Sequence, residues 1–250
     1  DNASTDGSKD FFSNDDRIIY VCNEENYGFG KANNIGAKIA KGKYLFFLNS
    51  DTYLKNDALS LFFDYAEKHP EEKTGFWGTL LLDTEGHPNG SGGPFPTLKH
   101  SLALAAHVAE SHEFREEGEF EPFSVDYVLG ADLFVTKDVF DCLGGFDEAF
   151  FMYYEESDLQ RRAYKKGYGA KIIPGPKIVH LEGKSTGTVS HKKRMMVENS
   201  HMIHLKKYYP RVLFDLFLVI YILLKIPVFM TRHYTFQENC DYFRLLCGKF

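Results

Sequence analysis

A chain of 250 residues with 44% apolar and 26% charged residues has the composition of a soluble globular protein with a sizeable core. Its net charge of -6 speaks against the basic surface that marks a nucleic-acid binder. The four cysteines, at positions 22, 142, 240 and 247, contain no Cys-x-x-Cys pair and are too few for a disulfide scaffold, so a reducing compartment is expected.

The opening stretch, DNASTDGSKD, lacks a charged-then-apolar leader and reads as a loop from inside a fold, so residues upstream of it are expected. Residues 17–22 (RIIYVC) are a short apolar run that predicts a buried strand. A glycine-punctuated loop follows, then a helix over 31–40 that ends at Gly42. Residues 44–48 (YLFFL) predict a second buried strand, stopping abruptly at Asn49-Ser50-Asp51-Thr52. A helix over 56–68 closes at His69-Pro70, a third strand covers 74–82, and 86–96 is turn and loop. The stretch 98–120 is less regular, and the acidic run over 113–121 reads as a solvated face. Strands are expected at 125–129, 133–135, 170–173 and 177–179, with helices at 137–142 and 156–166. Strands alternating with helices at this spacing predict an open α/β sheet.

The C-terminal part has a different character. Residues 192–209 are polar and helical, whereas 212–230 are strongly apolar. The apolar run is 19 residues long, close to the ~20 that cross a bilayer, yet it contains Asp215 and Lys225, which are costly at mid-membrane. A helix packed on the domain or lying in a membrane interface is the preferred reading.

Three groups of residues carry possible chemistry. Asn49-Ser50-Asp51 lies just past the end of a buried strand, where open α/β sheets bind ligands. A hard divalent cation that bridges phosphates needs only one or two protein carboxylates, although a turn or helix cap is the commoner use of such an Asp. Between Phe146 and Leu159, five carboxylates lie among five aromatic residues. A carboxylate against apolar surface has its pKa raised, which suits a general base. Glu155 and Glu156 equally suit the opening of a helix, and Asp158 suits an i,i+4 pair with Arg162. His180, at a strand end before a loop, is a structural histidine or a nitrogen ligand.

The order of these groups resembles glycosyltransferase family 2, in particular its bacterial rhamnosyltransferase-like branch with the GT-A fold. The stretches that carry the resemblance are DNASTDGS (1–8), NYGFGKANNIGAKIAKGKYLFFLNSDT (26–52) and GADLFVTKDVFDCLGGFDEAFFMYYEESDLQRRAYKKGYGAKIIPGPKIVH (130–180). The resemblance spans roughly residues 1–210 and implies a Rossmann-like α/β domain with a mostly parallel central sheet over 1–209, followed by an apolar helical appendage over 210–250. It implies Mg2+ or Mn2+ held by Asp51 and His180, with Asn49 in place of the first Asp of the family's DXD-like motif. Glu156 falls where the family has its catalytic base, usually Asp, and Glu155 precedes it. Asp1, Asn2, Ser4, Asn26, Gly28, Lys31, Asn34, Asn49 and Ser50 are implied on the nucleotide-sugar side. Gly130, Ala131, Asp132, Asp147, Glu148 and Glu155 are implied on the acceptor side. Trp77, Phe150 and Tyr153 are candidate sugar platforms, with Trp77 at least as readily a core residue. The family's first strand is absent from this sequence.

The implied reaction is inverting transfer of a sugar from a nucleotide-sugar to a glycan or lipid-linked acceptor, in cell-surface polysaccharide synthesis. The basic residues Lys192, Lys193, Arg194, Lys206 and Lys207 beside 212–230 imply peripheral attachment to the cytoplasmic face of a membrane. Two alternatives stand beside this reading: a nucleotidyltransferase on a related scaffold, and a non-catalytic carbohydrate- or partner-binding relative.

Overall fold

The computed structural model describes residues 1–70, 72–109, 120–181, 190–227 and 234–248. The N-terminal half runs α1 (Ser8–Phe12), α2 (Phe29–Ile39), β1 (Tyr44–Leu48), β2 (Thr52–Leu54), α3 (Ala58–Lys68), β3 (Thr74–Gly78), β4 (Gly92–Gly93) and α4 (Leu98–Ala105). It continues with β5 (Phe123–Val125), β6 (Tyr127–Val128), β7 (Asp132–Thr136), α5 (Lys137–Cys142), α6 (Glu155–Tyr164), β8 (Gly169–Ile172) and β9 (Ile178–His180). Three helices follow: α7 (His191–Tyr208), α8 (Arg211–Lys225) and α9 (Phe236–Cys247).

The helix starts are written in short polar side chains. Asp57, Thr97, Thr136, Ser190 and Thr235 each accept from a backbone N–H in the first turn of α3, α4, α5, α7 and α9. Each such cap is worth about 1 kcal/mol. Helices α1, α2 and α8 start at Gly7, Gly28 and Pro210 without such a cap, and α6 starts at Tyr154, a bulky residue in a left-handed conformation that is also uncapped.

The central sheet has the order β1-β7-β3-β8-β5. Strand β7 pairs antiparallel with both β1 and β3, β3 pairs parallel with β8, and β8 pairs antiparallel with β5. The mostly parallel sheet expected from the sequence is therefore corrected at the level of neighbours, since three of these four pairings are antiparallel. Strands β1, β3 and β8 do run the same way, but β7 inserts between β1 and β3 in the opposite sense. An apolar strand reports burial in its side chains and carries no mark of its direction, so periodicity leaves this insertion invisible.

Other expectations shift in detail. Residues 17–22 join no strand ladder among the described residues, and Ile18 and Ile19 are exposed. The third strand stops at Gly78, with Leu82 left in isolated bridges to Pro88 and Val179. The stretch from 98, expected to be irregular, begins with α4. The acidic run at 113–121 lies largely outside the described residues, as do the loop at 182–189 and the end of 212–230.

Two apolar clusters flank the sheet. One joins Phe47, Phe76, Leu133, Val135, Phe140, Phe146 and Leu159. The other joins Phe62, Trp77, Leu81, Phe134 and Ile178. Trp77 and Phe150 are buried at 3% and 0% exposure, which removes both from the candidate sugar platforms. A third cluster joins Ala105 of α4, Met202 and Leu205 of α7, Phe214, Phe217 and Tyr221 of α8, and Tyr242 and Leu246 of α9. Residues on both sides of position 209 thus share one core. Among the described residues, no helix is long and apolar enough to cross a membrane.

Candidate active site

The end of the sheet at which β1 finishes and β7 begins gathers most of the expected site residues. The Asn49 N–H donates to Ala131 O at 3.1 Å, and Thr52 Oγ1 donates to Asn49 O at 2.7 Å. This closes a tight turn with Ser50 exposed and Asp51 partly exposed. Strand β2 then pairs antiparallel with β9, setting Thr52 opposite His180. The result is that Asp51 Oδ1 and His180 Nε2 stand 3.3 Å apart. His180 Nδ1 is buried with no hydrogen-bond partner among the described residues.

An octahedral divalent cation holds its ligands at about 2.1 Å, so neighbouring ligand atoms stand about 3 Å apart. The Asp51–His180 separation matches one edge of such an octahedron. No group of three or more His, Cys, Asp or Glu that could hold a metal ion is found among the described residues. Two protein donors with the remaining positions left to water or phosphate oxygens is nonetheless the usual manner in which these cations are held.

The carboxylate pair stands at the start of α6. Glu155 is 4% exposed, and burial followed by the Glu156 charge beside it pushes its pKa well above the ordinary carboxylate range. Burial likewise raises the pKa of Glu156, against the pull of backbone N–H groups at Glu156, Ser157 and Gly130. One oxygen of each carboxylate is buried without a partner among the described residues. A partly buried carboxylate with raised pKa and a spare oxygen is chemically suited to accept a proton. Gly130 makes the close approach possible: a Cβ there would stand 3.2 Å from the Phe29 ring and 3.8 Å from Glu156 Cβ.

The loop residues expected on the nucleotide side fall into two sets. Asn2 is a hub, donating to Asn26 Oδ1 at 2.8 Å and Gly28 O at 3.1 Å while accepting from the Tyr27 N–H at 3.0 Å. Asp1 Oδ1 accepts from Ser4 N–H, and Lys31 lies 4.3 Å from the Tyr27 ring centre. These residues form one connected, solvent-facing loop pair. Gly28 and Asn34 have architectural work instead. Gly28 has φ 81°, and a Cβ there would collide with the Phe151 carbonyl. Buried Asn34 grips the Phe146 backbone, donating to its carbonyl and accepting from its N–H, both at 2.9 Å. That grip spends the Asn34 side chain inside the fold and corrects its placement among the nucleotide contacts.

On the acceptor side, Gly130 and Ala131 border Glu156 and Asn49, and Glu148 is exposed. Asp132 is corrected: it is fully buried, accepts from the Thr79 N–H at 2.7 Å, and has its pKa pushed up to about 8 by burial. Asp147 pairs with Lys207, which also reaches Asp158 Oδ1 at 2.7 Å. Asp158 binds Arg162 at 2.8 Å, the i,i+4 pair read from its spacing. The basic cluster beside α8 is partly consumed, because Arg194 packs 3.6 Å from the Tyr242 ring centre and donates to Asn239.

Several supporting residues escape sequence reasoning. Gln160 mimics a backbone partner, accepting from Val128 N–H at 2.9 Å and donating to Val128 O at 2.8 Å, which ties α6 to β6. Ser200 and His201 of α7 touch the segment that leads into α6. Their partners lie tens of residues away, so no local pattern announces them.

The mixed α/β sheet is that of the GT-A fold, with the Asp51–His180 pair and the buried carboxylate pair as its candidate site. Comparison with known proteins agrees. Residues 1–80 match the model of glycosyl transferase family 2. Over 190 residues the chain is 27% identical to rhamnosyltransferase WbbL of Escherichia coli K12, covering 72% of this chain and 68% of that protein. It is 29% identical over 147 residues to N-acetylglucosaminyl-diphospho-decaprenol L-rhamnosyltransferase of Mycobacterium tuberculosis H37Rv, covering 56% of this chain and 47% of that one. The chain thus spans about half to two thirds of the length of these relatives. The crystal structure of S. aureus TarS 1-349 shares the fold, with a TM-score of 0.52 at 13% identity, over 98% of this chain and 67% of that one. The N-terminal third of the chain is thus similar to glycosyl transferase family 2, and bacterial rhamnosyltransferases are among the proteins it resembles.

Proposed function

We propose that this protein is an inverting, divalent-metal-dependent transferase that moves a rhamnosyl or other hexosyl group from a nucleoside-diphosphate sugar to a hydroxyl of a lipid-linked glycan. The observation that carries the proposal is the pairing of two unlike acidic features at one sheet end. Asp51 and His180 form a cation-sized edge, and Glu156 has a raised pKa and a spare oxygen. The names of the two relatives support the rhamnosyl and polyprenyl-diphosphate parts.

In this reading Glu156 accepts the proton of the acceptor hydroxyl at its carboxylate. The freed oxygen attacks the anomeric carbon as the bond from that carbon to the diphosphate breaks, and the electron pair leaves with the nucleoside diphosphate. Asp51 and His180 are the residues to hold Mg2+ or Mn2+, which when bound offsets charge on the leaving diphosphate. Asp1, Asn2, Ser4, Asn26, Lys31, Asn49 and Ser50 serve the nucleotide-sugar, and Gly130, Ala131, Asp147 and Glu148 the acceptor side. Glu155 braces its neighbour.

We also place the transfer chemistry within 1–209 and membrane contact within 210–250. Helix α8 exposes Val212, Leu213, Leu216, Val219, Ile220 and Leu223 along one stripe, which supports peripheral attachment at the cytoplasmic face of a membrane. Because Arg194 and Lys207 are engaged within the protein, apolar contact outweighs charge in this attachment.

The test is transfer from thymidine- or uridine-diphosphate rhamnose to a synthetic N-acetylglucosaminyl-diphospho-polyprenol, with Mn2+ or with chelator. Mn2+-dependent product with inverted anomeric configuration is expected. A thermal upshift with nucleoside diphosphate and Mn2+ but no transfer would instead favour a non-catalytic binding relative. Liposome sedimentation tests attachment: a Leu216→Glu/Val219→Glu double variant should lose it.

A further inference from the structure

We propose that Ser200 and His201 of α7 are positioning residues for the carboxylate pair, acting by clamping the left-handed turn from which α6 starts. The inference rests on Glu156 being the base. The two residues before the pair, Tyr153 and Tyr154, have φ of 71° and 69°. Bulky L-residues avoid this region because Cβ crowds the backbone, and two in succession compound the strain. Such a turn persists only where its surroundings hold it. Tyr154 is also the cap position of α6; its carbonyl accepts from the Asp158 N–H at 2.8 Å, but no side chain caps the helix there.

The holding contacts come from two directions. On one side the Phe29 N–H at the start of α2 donates to Phe151 O at 2.8 Å. On the other, Ser200 Oγ donates to Met152 O at 2.7 Å, and the His201 ring stacks on Tyr154 at 5.3 Å with an interplanar angle of 18°. His201 is itself fixed, with Nε2 2.8 Å from Ser101 Oγ of α4 and Nδ1 3.6 Å from Glu198 Oε1. Glu198 in turn accepts from Tyr242 at 2.7 Å and Tyr221 at 3.2 Å, so α8 and α9 stand behind the same clamp. The C-terminal helices thereby set where Glu155 and Glu156 leave the turn.

Three variants test this in the full chain: His201→Ala removes the ring, His201→Phe keeps it, and Ser200→Ala removes the donor to Met152. Turnover and donor KM are measured in the rhamnosyl transfer assay, and hydrogen–deuterium exchange is followed over residues 150–158. His201→Ala should lower kcat about 10- to 100-fold, since small displacements of a reacting group cost on that order, with donor KM changed less than twofold. Exchange over 150–158 should rise while the central sheet stays protected, and His201→Phe should recover most of kcat. Ser200→Ala should do the same more weakly, and Ser200→Thr should rescue it. Unchanged exchange in both alanine variants overturns the clamp. Raised exchange with unchanged kcat, in a protein that Glu156→Gln inactivates, overturns the positioning role. Full activity in Glu156→Gln overturns the base assignment instead, a result separate from the exchange measurements.

Discussion

At the Asn49–Thr52 turn, the Asp51 side chain is 28% exposed and its position follows from strand pairing: β1 ends, β2 begins, and β9 brings His180 alongside. At the start of α6, Glu155 is almost wholly buried, and the turn before it is strained and held by residues about 45 positions further along the chain. The first arrangement keeps an acid open to water, which suits a cation and its diphosphate. The second surrounds acids with apolar groups and with each other, which suits holding and releasing a proton. Unlike environments for titratable groups within one site are how a protein separates an ion-binding carboxylate from a basic one.

The comparison is broken most sharply at Glu156. Glu156→Gln should lower turnover by roughly 10²–10⁴-fold with donor affinity little changed, measured as separate kcat and donor Kd values. Glu156→Asp, the residue usual in the family, should retain activity. Equal loss of donor affinity would mean that both acidic features serve the donor, and the contrast would disappear. Next comes Asp51→Ala, which should weaken Mn2+-dependent nucleotide binding about 10- to 100-fold by calorimetry while leaving Glu156 in place. Unchanged Mn2+ dependence would move the cation away from the turn.

The pH dependence separates the two places further. Transfer needs Glu156 deprotonated, and burial raises its pKa, so kcat should fall at pH values above those expected of an ordinary carboxylate. Glu156→Asp should shift this acid limb, whereas Asp51→Asn should leave its position alone.

The smallest effects are on stability. Glu155 and Asp132 both have folded pKa values above their unfolded ones, so the folded state holds extra protons. Their stabilisation is complete below the ordinary carboxylate pKa and is lost as pH rises through the raised one, near 8 for Asp132. Glu155→Gln and Asp132→Asn cannot ionise, so the melting temperature should fall less between pH 5 and pH 8. Each kcal/mol so recovered corresponds to roughly 2–4 °C. A variant that tracks the parent protein across that range would show that the acid ionises without cost.

Much of the local geometry of the candidate site was legible one residue type at a time. YLFFL followed by Asn-Ser-Asp-Thr reads as a buried strand with a polar exit, and β1 with its turn is what forms. Acids among aromatics read as carboxylates against apolar surface, and Glu155 and Glu156 have raised pKa values for that reason. The i,i+4 spacing of Asp158 and Arg162 was enough to pair them. Asn34 misled because its polarity is indifferent to whether it meets a nucleotide or the Phe146 backbone.

The sequence by itself determined most local elements and the acidic turn, because these depend on side chains within a few positions of one another. Only the tertiary structure decided that β7 inserts antiparallel between β1 and β3. It alone decided that Asp132 and Trp77 are interior, and that α7 grips the Tyr153–Tyr154 turn. Strand direction, burial partners and clamps are set by contacts between segments far apart in the chain, and no short stretch of sequence carries the identity of its distant neighbour.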